Sequence, residues 1–144
     1  MRWRKRRLRL KNVVFDSYAL LAYLFDEPGA ETVSETFKQA LTDKKRIYIC
    51  TVNWAEVMYR TIRVKGKNAW KSVQSHLQDL PFEIVDADQA LSEAAAEFKA
   101  SHNISLADAY AAALTKEKRA ELMTGDPEFE PLEAALKTIV WLNQ

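Results

Sequence analysis

One cysteine, three glycines, four prolines and two histidines in 144 residues remove several chemistries before any motif is sought. Cys50 has no partner for a disulfide and no companions for a cysteine-based zinc site, and its setting in Ile47-Tyr-Ile-Cys50 is that of a buried strand residue. Gly29, Gly66 and Gly125 are too few and too scattered for a GxGxxG turn or a P-loop, which excludes the usual nucleotide cradles. His76 falls in a polar helical stretch and His102 in a loop, neither beside an acid or a nucleophile, so both read as ordinary surface residues. No GxSxG signature surrounds Ser17, and a serine nucleophile is set aside. Long apolar runs are missing too. Nothing approaches the roughly 20 residues that span a bilayer, and no signal-peptide core follows the basic start. The expectation is a cytoplasmic protein with no membrane contact.

What is present is a globular composition, 48% hydrophobic and 28% charged, at a length that suits one compact domain. The formal net charge of +1 conceals an asymmetry. Residues 1–11 hold seven of the 21 basic residues (Arg2, Arg4, Lys5, Arg6, Arg7, Arg9, Lys11) and no acid, leaving 14 basic against 20 acidic residues, −6, for the remainder. A flexible basic arm over 1–11 therefore precedes a domain over 12–144. Such an arm is either a lead-in outside the fold or an electrostatic aid to RNA binding, and Trp3 is the one aromatic interleaved with its cations.

Periodicity divides the domain into alternating strands and helices. Val13–Phe15 reads as a buried strand ending at Asp16, followed by a helix from Tyr18 to Phe25. Ala30–Thr42 is an amphipathic helix, Ile47–Cys50 a second strand, and Thr51-Val-Asn53 leads into a helix over Trp54–Val64 with Glu56 in its first turn and Gly66 as C-cap. A helix over Lys67–Asp79 stops before Pro81, and Phe82–Val85 is a third strand. Asp86 or Asp88 caps the next helix. Ser105-Leu-Ala-Asp108 then opens an alanine-rich helix over Ala109–Lys116, Glu121–Thr124 is a fourth strand, Gly125-Asp-Pro127 turns into a short helix, and Thr138–Leu142 is a fifth strand. This alternation predicts an α/β fold with a parallel sheet covered on both faces. Trp54, Trp70 and Trp141 sit in apolar patterns that assign them to core or interface rather than to base stacking.

Four acids share one local context. Asp16 and Asp126 follow strands, while Glu56 and Asp108 open helices, so in a parallel sheet all four fall near the carboxyl edge where ligands bind. Singly, each is explained as a cap worth about 0.5–2 kcal/mol: Asn53-x-x-Glu56 and Ser105-x-x-Asp108 resemble capping boxes, and Asp126-Pro127 is an N-cap followed by proline. Capping does not require the four to converge. Carboxylates crowded together oppose folding unless a cation neutralises them, and oxygen-only ligands select a hard ion, Mg²⁺ or Mn²⁺.

The blocks Val13-Val-Phe-Asp16-Ser-Tyr-Ala-Leu-Leu-Ala-Tyr23, Asn53-Trp-Ala-Glu56-Val57, Ile104-Ser-Leu-Ala-Asp108-Ala-Tyr-Ala-Ala-Ala113 and Leu122-Met-Thr-Gly-Asp126-Pro-Glu-Phe129 resemble, in order, those of PIN-domain ribonucleases, specifically the VapC-type toxins of toxin–antitoxin pairs. The resemblance spans about Asn12 to Leu142. It implies a three-layer α/β/α domain with a five-stranded parallel sheet in the order 3-2-1-4-5, a homodimer, and Mg²⁺- or Mn²⁺-dependent endoribonuclease activity on RNA restrained by a VapB-type antitoxin. It also implies that Asp16, Glu56, Asp108 and Asp126 form the catalytic and metal-binding quartet, with Ser17, Asn53 and Thr124 orienting ligands or water. The expected chemistry is metal-assisted phosphodiester hydrolysis, with Asp16 and Asp108 as direct ligands. The basic arm departs from the family, whose chains begin almost directly with the first strand.

Three alternatives stand beside this reading. A non-catalytic PIN-fold module would bind RNA or protein without cutting, and would take up no Mn²⁺ through Asp16. A haloacid-dehalogenase-like phosphotransferase also begins with an acid after its first strand, but position 18 is Tyr where that chemistry needs a second Asp. A plain α/β scaffold would lose stability, not activity, when its caps are mutated. The acidic domain argues against broad RNA affinity, and Arg60, Arg63, Lys65 and Lys67 are the local cations for target choice, or else a solvated helix end.

Overall fold

A computed structural model describes residues 11–136 and 138–142. The basic arm up to Leu10, with Trp3, lies outside these residues. Five strands, β1 (Lys11–Phe15), β2 (Lys45–Cys50), β3 (Glu83–Val85), β4 (Glu121–Thr124) and β5 (Ile139–Trp141), form one all-parallel sheet in the order β3-β2-β1-β4-β5. The order is the one implied by the resemblance. Lys11, assigned to the arm by its charge, instead opens β1 in register with Lys45. Backbone pairing at a strand's first residue makes no demand on the side chain, which stays exposed.

The helices are α1 (Ser17–Leu24), α2 (Ala30–Leu41), α3 (Thr51–Lys65), α4 (Lys67–Gln78), α5 (Gln89–Ser101) and α6 (Leu106–Glu117), with a 3₁₀ turn at Pro127–Leu132. Strand alternation sorts the core into two halves. Val13, Phe15, Ile47, Ile49 and Met123 point to one face, where α1 to α4 supply Leu20, Val33, Phe37, Val57 and Trp70. Val14, Cys50 and Leu122 point to the other, where α5, α6 and the 3₁₀ turn supply Leu91, Leu114, Phe129 and Leu132. With both faces covered, the central strands carry no solvent-side polar positions, which is why they read as short continuous apolar runs. Trp54 and Trp70 pack edge-to-face at 5.5 Å between ring centroids, and Trp141 is partly buried against the second half.

Two helix starts differ from expectation. α3 begins directly at Thr51, with Cys50 as an N-cap that makes no side-chain bond, so the Thr51-Val-Asn53 segment is helix and not a lead-in. Glu56 thereby moves to the second turn, and the Asn53-x-x-Glu56 capping box does not form. At α5 the cap is Asp88, whose Oδ1 accepts from the Leu91 N–H at 2.8 Å. His76 is not solitary: it stacks on Tyr23 and shares a 2.8 Å hydrogen bond with the Tyr23 hydroxyl.

The strand order fixes where a site can form. The chain moves outward from β1 through β2 to β3 on one side, then crosses back to β4 on the other, so the connections leaving β1 and β4 diverge. A crevice opens between those two strands at their carboxyl ends. Asp16 follows β1, and Thr124 ends β4. Among the described residues, no helix is long and apolar enough to cross a membrane.

Candidate metal centre

Asp16 is buried at 2% exposure and holds two elements at once. As N-cap of α1 its Oδ1 accepts from the Ala19 N–H at 3.0 Å, while Oδ2 accepts from the Thr124 hydroxyl of β4. Thr124 is fully buried, and its Oγ1 also accepts from the Asp126 N–H at 3.0 Å. One hydroxyl therefore fixes Asp16 and Asp126 relative to each other across the crevice. Asp126 caps the 3₁₀ turn through Oδ1, which accepts from the Glu128 N–H at 2.9 Å. Gly125 makes this corner possible: a Cβ there would lie 2.2 Å from the Tyr18 ring.

The other acids arrive on helices. Ser105 caps α6 by accepting the Asp108 N–H at 3.1 Å, which relieves Asp108 of a capping role. Asp108 is 7% exposed, and its Oδ2 is buried with no hydrogen-bond partner among the described residues. Asn53 is fully buried; its Nδ2 donates to the Ala107 carbonyl at 3.2 Å, tying α3 to the start of α6, while its Oδ1 is likewise unpartnered. Glu56 reaches in from α3. The Ser17 hydroxyl donates to its Oε1 at 3.0 Å, so Ser17 orients Glu56 and not Asp16, its sequence neighbour. On the outer side, Arg60 stands 3.9 Å from Glu56 Oε2, one helical turn along and half exposed, a weak pair by any measure.

These placements bring the acids close enough to act on one another's charge. Burial pushes the Asp16 carboxyl up to about 7, against the pull of the Thr124 and Ala19 hydrogen bonds, and the charges of Asp126 and Glu56 push it further. Asp108 rises to about 8, first through burial, then through its contact with Glu128 and the charges of Asp126 and Asp16, with Ser105 opposing. Asp108, Asp126 and Glu128 each offer an oxygen, all within 4.8 Å of one another. Glu128 is the acid that sequence reading passed over. No local signal marks it, since its place beside Asp108 depends on how the Asp126 turn meets α6.

The donor set is a fit test for a cation. It holds carboxylate oxygens, hydroxyls and an amide, with no thiolate or imidazole among the described residues of the pocket. Two of its acids are pushed toward protonation, and a buried carboxylate oxygen lacks any donor. An unmet carboxylate in a pocket whose nearest cation is half exposed is a structural cost that a hard divalent ion removes.

Comparison with known proteins agrees with this architecture. The family model described as the PIN domain matches residues 13–134. No curated protein matches the chain. Among solved structures, VapBC2 from Rickettsia felis, bound to a DNA fragment from its promoter, is similar at TM-score 0.67 and 17% identity over 89% of this chain and 96% of that one. A toxin–antitoxin complex from Klebsiella pneumoniae is similar at 0.64 and 20% over 84% and 92%. Mycobacterium tuberculosis VapC20, a toxin that cleaves the sarcin–ricin loop, is similar at 0.61 and 18% over 84% and 95%. At such identities the structural likeness speaks for the fold, and the sequence match carries the rest: this chain belongs to the PIN domain family.

Proposed function

We propose that this protein is a metal-dependent endoribonuclease, a VapC-type toxin that hydrolyses RNA phosphodiesters. The observation that carries the reading is a buried, unpartnered carboxylate oxygen on Asp108, set among Asp16, Asp126, Glu56 and Glu128 at the strand-order switch point. Asp16 and Asp108 would hold a Mg²⁺ or Mn²⁺ ion, with Asp126 and Glu56 completing the site. The ion's contribution when bound is to neutralise charge on the scissile phosphate and to lower the pKa of the attacking water.

The chain's own residues perform the positioning. Thr124 ties the Asp16 carboxylate to the Asp126 backbone N–H, and Ser17 holds Glu56 toward the pocket. Asn53 anchors the start of α6, so Asp108 does not move with its helix end. Glu128, exposed at the mouth, is placed to accept a proton from water entering the site.

The reading includes a VapB-type antitoxin and a homodimer. Structures similar to this chain include toxin–antitoxin complexes, and a groove of ≈ 750 Å³ between α1 and α3 offers Leu21, Leu24, Phe25 and Val64 beside Arg60 and Arg63. An amphipathic segment carrying acids fits such a surface. The deciding experiment incubates the purified protein with total RNA in Mn²⁺ or in chelator, wild type beside Asp108→Asn. Discrete cleavage that needs the ion and disappears in the variant is expected. Equal cleavage by the variant would remove Asp108 as a ligand, and RNA binding with no cutting by the wild type would remove the nuclease assignment.

A further inference from the structure

The end of the sheet opposite the acids is basic, and its charges come from three separate stretches of chain. Lys11 and Lys45 open β1 and β2 side by side, with Arg46 in register with Asn12. Lys118 and Arg119 make the corner from α6 into β4, and that corner is tied to β1 by the Asn12 side-chain amide, which donates to the Lys118 carbonyl at 2.7 Å. Lys11, Lys116, Lys118 and Arg119 line a groove of ≈ 1130 Å³ that contains one acid, Glu121. Lys118 Nζ lies 4.7 Å from the centre of the Tyr48 ring.

Lys116 Nζ lies 5.9 Å from the centre of the Phe98 ring, and among the described residues none of these cations has an ion-pair partner. Among the described residues, the one ion pair is Arg60 with Glu56, at the far end of the sheet. Arg119 adopts φ 50, a left-handed conformation that glycine or asparagine takes more readily, so arginine at this corner breaks a local rule without a local gain. Large exposed apolar side chains, which would mark a protein or lipid contact, are Leu41, Met58, Tyr59, Val64, Ile84 and Leu106, and none lines the groove. The residues that run into Lys11 add Arg2, Arg4, Lys5, Arg6, Arg7 and Arg9 and no acid. A polyanion is the occupant this chemistry fits.

The acid pocket supplies the need for it. RNA approaching Asp16, Glu56, Asp108, Asp126 and Glu128 meets negative charge, so the affinity that holds it has to come from elsewhere on the molecule. The two ends of β1 are about 13 Å apart, a span of a few nucleotides. We propose that this basic pole, Lys11, Lys45, Arg46, Lys116, Lys118 and Arg119, is a docking surface for the phosphate backbone of RNA, gripping substrate away from the bond to be cut. The choice of RNA rests on the nuclease reading; the docking surface has its own readout.

The test measures anisotropy of a fluorescein-labelled RNA hairpin with single-stranded flanks, in chelator so that no cleavage intervenes, across a series of salt concentrations. The variant combines Lys11→Gln, Arg46→Gln, Lys116→Gln and Arg119→Asn, all at exposed positions, with its fold checked by circular dichroism. Losing four phosphate contacts should make the log-affinity against log-salt slope shallower by roughly 3 and weaken binding by about tenfold or more at low salt. In Mn²⁺ the same variant should raise KM for the long RNA while leaving kcat unchanged. Affinity and slope equal to wild type would overturn the docking surface even if cleavage proceeds. Conversely, lost binding by the variant together with an inert wild type in Mn²⁺ would retain the surface and reject the nuclease.

Discussion

Asp16 and Asp108 are shifted in the same direction by the same cause, burial among other acids. Each is usually ionised at neutral pH, with an ordinary value of 3.8, yet burial and neighbouring acids raise them to about 7 and about 8. Folded, both hold a proton more tightly than the unfolded chain does. Their contribution to stability is therefore full below about pH 4 and is lost as pH climbs through 7 to 8. Without divalent ions, thermal melts should show Tm falling from pH 5 to pH 8, and Asp108→Asn should flatten that slope and gain about 2 kcal/mol at pH 8 by removing a buried charge. A Tm that instead rises across this range in wild type would show that the two carboxyls are not buried together as described. Much of this was legible from residue types and positions: four acids at strand ends and helix starts. Glu128 and the Ser17–Glu56 bond were not, because both depend on how a turn and two helices meet in space.

At the scale of the element, capping and site formation separate. Asp88 and Asp126 both cap by accepting a backbone N–H through Oδ1, Asp88 from Leu91 three residues on and Asp126 from Glu128 two residues on. Asp88→Ala should cost about 1 kcal/mol in a denaturant titration and leave RNA cleavage as in wild type. Asp126→Ala should cost a similar amount and abolish cleavage; matching losses of activity in both variants would show that the effect comes through the fold. The β4 corner offers a second check. Gly125→Ala sets a methyl against the Tyr18 ring, and overpacking of that kind costs about 1–3 kcal/mol. Combining it with Tyr18→Ala, which vacates the space, should recover part of the loss in a double-mutant cycle. Strict additivity of the two would place the contact elsewhere. Helix α3 shows where local reading stops: Thr51 and Val52 carry no strong helix-start signal, and packing of Val57 and Thr61 against the sheet overrides it.

Among the described residues the acid cluster lies at the carboxyl end of the sheet and Lys11, Lys45, Lys118 and Arg119 gather at the amino end, where Glu83 and Glu121 also open strands. A parallel sheet permits this separation, since every strand begins at one end and finishes at the other, and the residue types at those ends set the charge. An ion that binds only the folded state should raise stability by mass action, about 2.7 kcal/mol at a hundredfold excess over its Kd. Mn²⁺ should accordingly increase Tm at pH 7.5 in wild type and leave Asp108→Asn unmoved; an equal increase in both would locate ion binding outside this pocket.

By itself the sequence determined the alternation of elements, the two-sided apolar strands and the local addresses of Asp16, Glu56, Asp108 and Asp126, because hydrophobic period and cap chemistry are short-range properties. Residue patterns alone left strand order open; the family resemblance implied 3-2-1-4-5, and the tertiary structure has β1 between β2 and β4. That placement puts Thr124 on Asp16, Glu128 beside Asp108, and Lys118 and Arg119 next to Lys11. Contacts between residues a hundred positions apart are set by strand order, and strand order is a property of how the whole chain buries its apolar faces.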